Sequence, residues 1–166
     1  MEAYRINIQG LSNTLHHFEF DLGKEFFGKY GTDLVAEGSL HAKVTLDKRE
    51  TLIEAYFYIE GTVKLTCDRS LELFDYPLST EQRIIFKYGQ EEKEISEEVY
   101  IITHHTEQLE LGQLMYEFIG LAIPMKKLHP KFQEQEQEGI MYTSGDTAAP
   151  EETDPRWEIL KKLNKN

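Results

Sequence analysis

The chain has 166 residues, of which 40% are hydrophobic and 29% charged, the proportions of a single soluble domain long enough to bury a core. No apolar run approaches the roughly 20 residues of a membrane span. The opening Met1-Glu2-Ala3-Tyr4-Arg5 lacks the basic-then-apolar pattern of a secretory signal. The net charge of −12 opposes naked nucleic acid, whose affinity comes from neutralised phosphates, and suits a basic partner. A lone cysteine makes no internal disulfide, so a reducing, cytoplasmic setting is expected.

In chain order, Tyr4, Ile6 and Ile8 alternate with polar residues as a short first strand. A turn at Gly10 to Asn13 precedes a second strand, Leu15 to Leu22. Gly23 to Tyr30 reads as a short helix with Phe26, Phe27 and Tyr30 on one side. Leu40 to Asp47, Ile53 to Glu60 and Val63 to Cys67 follow as period-two runs, with a polar turn at Asp47 to Glu50 and a bend or bulge at Gly61. These predict an antiparallel meander. Arg83 to Tyr88 and Val99 to Thr103 add two strands separated by a charged, hairpin-like segment, Gly89 to Glu98. Leu111, Leu114, Met115, Phe118, Ile119 and Ala122 form the apolar stripe of a helix that Pro124 ends. Gln133 to Asp154 is acidic, without Lys or Arg, and is expected to be a flexible linker. Asp154-Pro155 then starts a terminal helix with Trp157, Leu160 and Leu163 at spacing three.

Catalytic motifs are absent. The six histidines have no chelating spacing, and no phosphate-binding glycine loop or nucleophile elbow occurs. Neither a metal nor a cofactor is expected. Cys67 is in phase with Val63 and Leu65, which makes it a structural core thiol. Arg69 shares that parity. An unbroken strand would carry it inward as an ion-paired arginine, the preferred reading, whereas a strand ending at Cys67 would leave it on an exposed turn. Lys126, Lys127, His129 and Lys131 make a modest basic patch, and Arg156, Lys161, Lys162 and Lys165 make a second near the end.

Three segments carry a family resemblance. Cys67-Asp68-Arg69-Ser70-Leu71 resembles the Cys-x-Arg-Cys-Leu signature of the YceD family, the large ribosomal RNA subunit accumulation proteins, with Ser70 in place of the second cysteine. The helix of Leu109 to Pro124 is similar to a leucine-rich, proline-ended helix of that family. Asp154-Pro155-Arg156-Trp157-Glu158-Ile159-Leu160-Lys161-Lys162-Leu163 is similar to its closing segment. Many members carry a cysteine cluster, spaced as if for zinc, between that helix and that closing segment. Lys126 to Pro150 contains no cysteine, so a metal role does not transfer to this chain. The resemblance implies a part in accumulation of large-subunit rRNA and no catalytic activity.

The reading is an α+β fold with a strongly bent antiparallel sheet or partial β-barrel, a covering helix and a C-terminal helical appendage. Its divisions are a core at 1–132, a linker at 133–153 and a terminal helix at 154–166. The expected function is non-enzymatic support of 23S rRNA accumulation, through binding a basic ribosomal protein or a large-subunit precursor, with direct RNA contact less favoured. The expected binding residues are Arg69, Lys126, Lys127, Arg156, Trp157, Lys161 and Lys162. The alternative is a small enzyme or ligand-binding barrel with a polar cavity.

Overall fold

The computed structural model describes residues 3–31, 33–35 and 37–133. The expected linker beyond residue 133 and the terminal helix, with Arg156, Trp157, Lys161 and Lys162, lie outside the described residues.

Alternation of apolar and polar residues over long stretches makes the meander. Strands β2 (Leu15–Leu22), β3 (Glu37–Lys48), β4 (Leu52–Thr66) and β5 (Leu73–Tyr88) pair antiparallel in chain order, after the short β1 (Arg5–Asn7). The period-two runs on either side of Gly61 are one 15-residue strand, β4, and its register carries no bulge. Gly61 instead supplies a φ of +148°. A Cβ there would stand 2.3 Å from the Ser39 carbonyl oxygen, so glycine lets β3 approach β4 at mid-strand.

The far side of the sheet departs from the expected antiparallel order. β5 pairs in parallel with β7 (Val99–Ile102), and β6 (Lys93–Ser96) folds back on β7 as the outer edge. Gly89 to Glu98 is therefore no simple hairpin between β5 and β7: the chain crosses to reach the edge and returns. The sheet order is β2-β3-β4-β5-β7-β6, and the sheet is open, not closed into a barrel. β1 pairs separately with β8 (Gln108–Glu110).

One face of the sheet is apolar. Ile53, Ala55, Phe57, Ile59, Val63 and Leu65 of β4 point into a core in which no polar or charged side chain is buried among the described residues. Helix α1 (Lys24–Tyr30) packs on β2 and β3, inserting Phe26 and Phe27, and α2 (Gly112–Ala122) covers β4 and β5. The Phe118 ring meets Phe57 edge-on, with centroids 5.1 Å apart. α2 ends at Ile123, whose extended backbone suits the residue before Pro124.

Candidate functional site

β4 stops at Thr66, and the six residues before β5 carry a turn at Asp68 to Ser70. The Leu71 N–H donates to the Cys67 carbonyl at 2.9 Å, and the Cys67 N–H donates to the Glu72 carbonyl at 2.8 Å. This turn breaks the period-two parity, and Arg69 is exposed. The inward, ion-paired position expected for it is therefore incorrect: the strand ended before the parity argument reached it. Its guanidinium lies 4.9 Å from the centre of the Phe132 ring.

The turn is tied to the segment after α2. The Asp68 N–H donates to the Lys127 carbonyl at 2.7 Å, and the Lys127 N–H returns a bond to the Asp68 carboxylate at 2.7 Å. The Lys131 ammonium pairs with the Glu72 carboxylate. That cation holds the Glu72 carboxyl below its usual range, with the Ser70 hydroxyl as the next contributor. A helical turn at residues 130–133 closes the corner, and His129 packs its ring 5.7 Å from Phe74.

Cys67 sits beneath this junction with no exposed surface. Its sulfur accepts the His129 N–H at 3.3 Å. Burial pushes the thiol up, but the Ser70 hydroxyl and the backbone N–H groups of His129, Ser70 and Arg69 outweigh it and bring the thiol down to about 7. The expected quiet core thiol is thus a buried sulfur in a ring of donors. Ser70, standing where the family signature has its second cysteine, supplies one of them. Among the described residues no group of His, Cys, Asp and Glu is arranged to hold a metal ion, and no helix is long and apolar enough to cross a membrane.

The structure brings Arg69, Lys126 and Lys127 to one corner, with Lys131 beside them. Of these four cationic residues, Lys131 pairs with Glu72, Lys127 meets the Asp68 carboxylate through its backbone N–H, and Arg69 lies over Phe132. The corner also carries apolar side chains that the residue pattern did not single out. Leu71 is 76% exposed, Leu73 is exposed, and Met125, two residues before Lys127, is wholly exposed. Leu71 holds φ +59°, the one non-glycine residue at positive φ among those described. For an L-residue that conformation costs roughly 1–2 kcal/mol. Phe132 was not singled out in the sequence, Leu71 was read only as part of the family signature, and His129 only as part of the basic patch, not among the expected binding residues. The polar run Asp68-Arg69-Ser70 at a strand end was the available signal for a turn.

Residues 55–164 match the family model described as large ribosomal RNA subunit accumulation protein YceD. No curated protein and no solved structure matches the chain. The matched stretch runs from Ala55 within β4 through the Cys67 turn, β5 and α2 to the closing segment, well over half of the sequence, and the chain belongs to the YceD family.

Proposed function

We propose that this protein supports accumulation of large-subunit (23S) rRNA as a non-enzymatic assembly factor, acting in the cytoplasm by binding a ribosomal protein or a precursor particle at the Cys67 corner. The observation that carries the reading is Leu71. Folding alone favours glycine or asparagine at a left-handed turn position, and an exposed leucine there gains nothing from the core. Its side chain, with Leu73 and Met125 and a surround of Arg69, Lys126, Lys127 and Lys131, has the make-up of a protein-binding surface: apolar anchors within a charged rim. The net charge of −12 disfavours free RNA as the main ligand.

The test is a deletion strain. Large-subunit rRNA should fall relative to small-subunit rRNA and be restored by the wild-type chain. Complexes captured with the tagged protein should survive nuclease and weaken as salt rises, because exposed charges are screened beyond roughly 8 Å at physiological ionic strength. Normal rRNA ratios in the deletion strain would remove the ribosomal assignment. Loss of the complex on nuclease treatment would replace the protein partner by RNA.

A further inference from the structure

Both helices pack on one face of the sheet, and among the described residues no element covers the outward face of β2 to β5. On that face β4 presents Tyr56 and Tyr58. The Tyr56 hydroxyl donates to the Glu54 carboxylate at 2.6 Å, and the Tyr58 hydroxyl donates to the Glu60 carboxylate at 2.7 Å. Each ring is thus pinned by a carboxylate two residues away on its own strand. These are two copies of one device, running in opposite directions from the middle of β4.

The first copy is filled from within the chain. Arg83 of β5 is the cross-strand partner of Tyr56. Its guanidinium carbon lies 5.9 Å from the centre of the Tyr56 ring, and a guanidinium nitrogen lies 3.3 Å from the Glu54 carboxylate. The second copy differs at the corresponding position. The cross-strand partner of Tyr58 is Glu81, so a second carboxylate stands where the first copy has its arginine. Lys43, opposite Tyr58 on β3, has no ion pair or ring contact among the described residues. A groove of about 510 Å³ runs between Tyr56, Tyr58, Glu81, Arg83 and Lys43.

We propose that Tyr58, Glu60 and Glu81 form a receptor for an arginine side chain of a basic protein partner, repeating between molecules what Arg83 does with Tyr56 and Glu54. The planar guanidinium can lie on the ring and bond a carboxylate beside it through its fork of N–H groups, as Arg83 does with Tyr56 and Glu54, a geometry that an ammonium does not reproduce. The two carboxylates disfavour a phosphate, although Lys43 and His41, the latter bonded to Asp21, stand on the same face across from Tyr58 and Glu60. That the partner is a ribosomal protein rests on the reading above; the chemistry of the receptor does not.

The test uses the full chain, titrated by NMR with an arginine-rich peptide, a lysine-rich peptide of equal length and a single-stranded RNA. The arginine peptide should bind several-fold more tightly than the lysine peptide and shift the Tyr58 ring signals. E60Q/E81Q should weaken it roughly three- to tenfold. E91Q/E97Q, an equal charge change beside and within the β6–β7 hairpin, should leave it unchanged. Melting curves check that both double variants fold. Equal weakening by the two pairs, parity of the peptides, or RNA binding on Tyr58 would each overturn the receptor. Each result is separable from the deletion strain: a fall in large-subunit rRNA without peptide discrimination would retain the assembly role and discard the receptor, and the converse would retain the receptor alone.

Discussion

The Cys67 sulfur accepts the His129 backbone N–H, joining the end of β4 to the segment that follows α2. Around that bond, Asp68 and Lys127 exchange backbone and carboxylate bonds, and Glu72 pairs with Lys131. The corner that presents Arg69, Leu71 and Lys127 is held by protein bonds between two segments distant in sequence.

The donors around Cys67 favour its thiolate over its burial, so thiolate absorbance in the folded protein should titrate with a midpoint near 7 instead of the ordinary 9.0. The sign follows from linkage. A lowered folded pKa contributes stability that is complete above about 9 and lost as pH falls through about 7. Melting temperatures of the wild type and Cys67→Ala should therefore differ more at pH 9 than at pH 6. Alkylation should nonetheless be slow in the native state, because the sulfur is wholly buried. A midpoint near 9 would show that burial dominates.

Leu71→Gly separates folding from binding. It relieves the left-handed strain of roughly 1–2 kcal/mol and adds about 0.4–1 kcal/mol of unfolded-state freedom. Stability by urea denaturation should stay level or rise by up to about 1.6 kcal/mol. Nuclease-resistant complex formation, and rescue of rRNA levels in the deletion strain, should fall. Full rescue by Leu71→Gly would assign the leucine no part in binding.

Gly61→Ala should be among the most damaging single-atom additions. The new Cβ would meet the Ser39 carbonyl oxygen at 2.3 Å and the Leu40 Cα at 2.8 Å, both backbone atoms that cannot rotate away, and φ would stay at +148°. A loss of about 3 kcal/mol or more is expected, read as a shifted denaturation midpoint or as insoluble expression. A midpoint within error of the wild type would mean that β3 and β4 can separate at little cost.

Glu110 gathers Arg5 of β1 and Tyr30 of α1 onto β8, with the Tyr30 hydroxyl 2.5 Å from its carboxylate. Burial raises the Glu110 carboxyl, but the bonds from Arg5 and Tyr30 outweigh it and hold it below its usual range. Its contribution is present above the ordinary carboxylate value of 4.5 and lost as pH falls through the lower folded value. Glu110→Gln should lower the melting temperature at pH 7, and the difference from wild type should shrink below pH 4. Tyr30, raised chiefly by burial and then by its bond to Glu110, should not ionise near pH 10. A Tyr30 phenolate signal at that pH would contradict the contact.

The meander was legible in the residues because period-two alternation over β2, β3 and β4 assigns one face of each strand to the core, although Leu15 at the start of β2 stays exposed. The α2 stripe and its end at Pro124 were legible for the same local reasons. The length of β5 was not. Leu73 to Gln82 mixes proline, acidic and small residues, and pairing with β4 makes it a strand where its own pattern does not. The parallel β5–β7 pair was hidden too, since neither run states the direction of its neighbour.

By itself, the sequence determined the acidic charge, the family, the apolar face of the central strands and the cysteine in phase with it, because these rest on residue identity and short-range periodicity. Tertiary structure decided that Arg69 lies outside the core, that the Lys127 backbone is tied to the neighbouring Asp68, that Leu71 is exposed in a left-handed turn, and that Tyr56 has an arginine across the strand where Tyr58 has a glutamate. The reason is the same in each case. A turn resets parity, and cross-strand register and contacts between segments 59 residues apart, such as Asp68 and Lys127, are set by which backbones pair, a property that no local window contains.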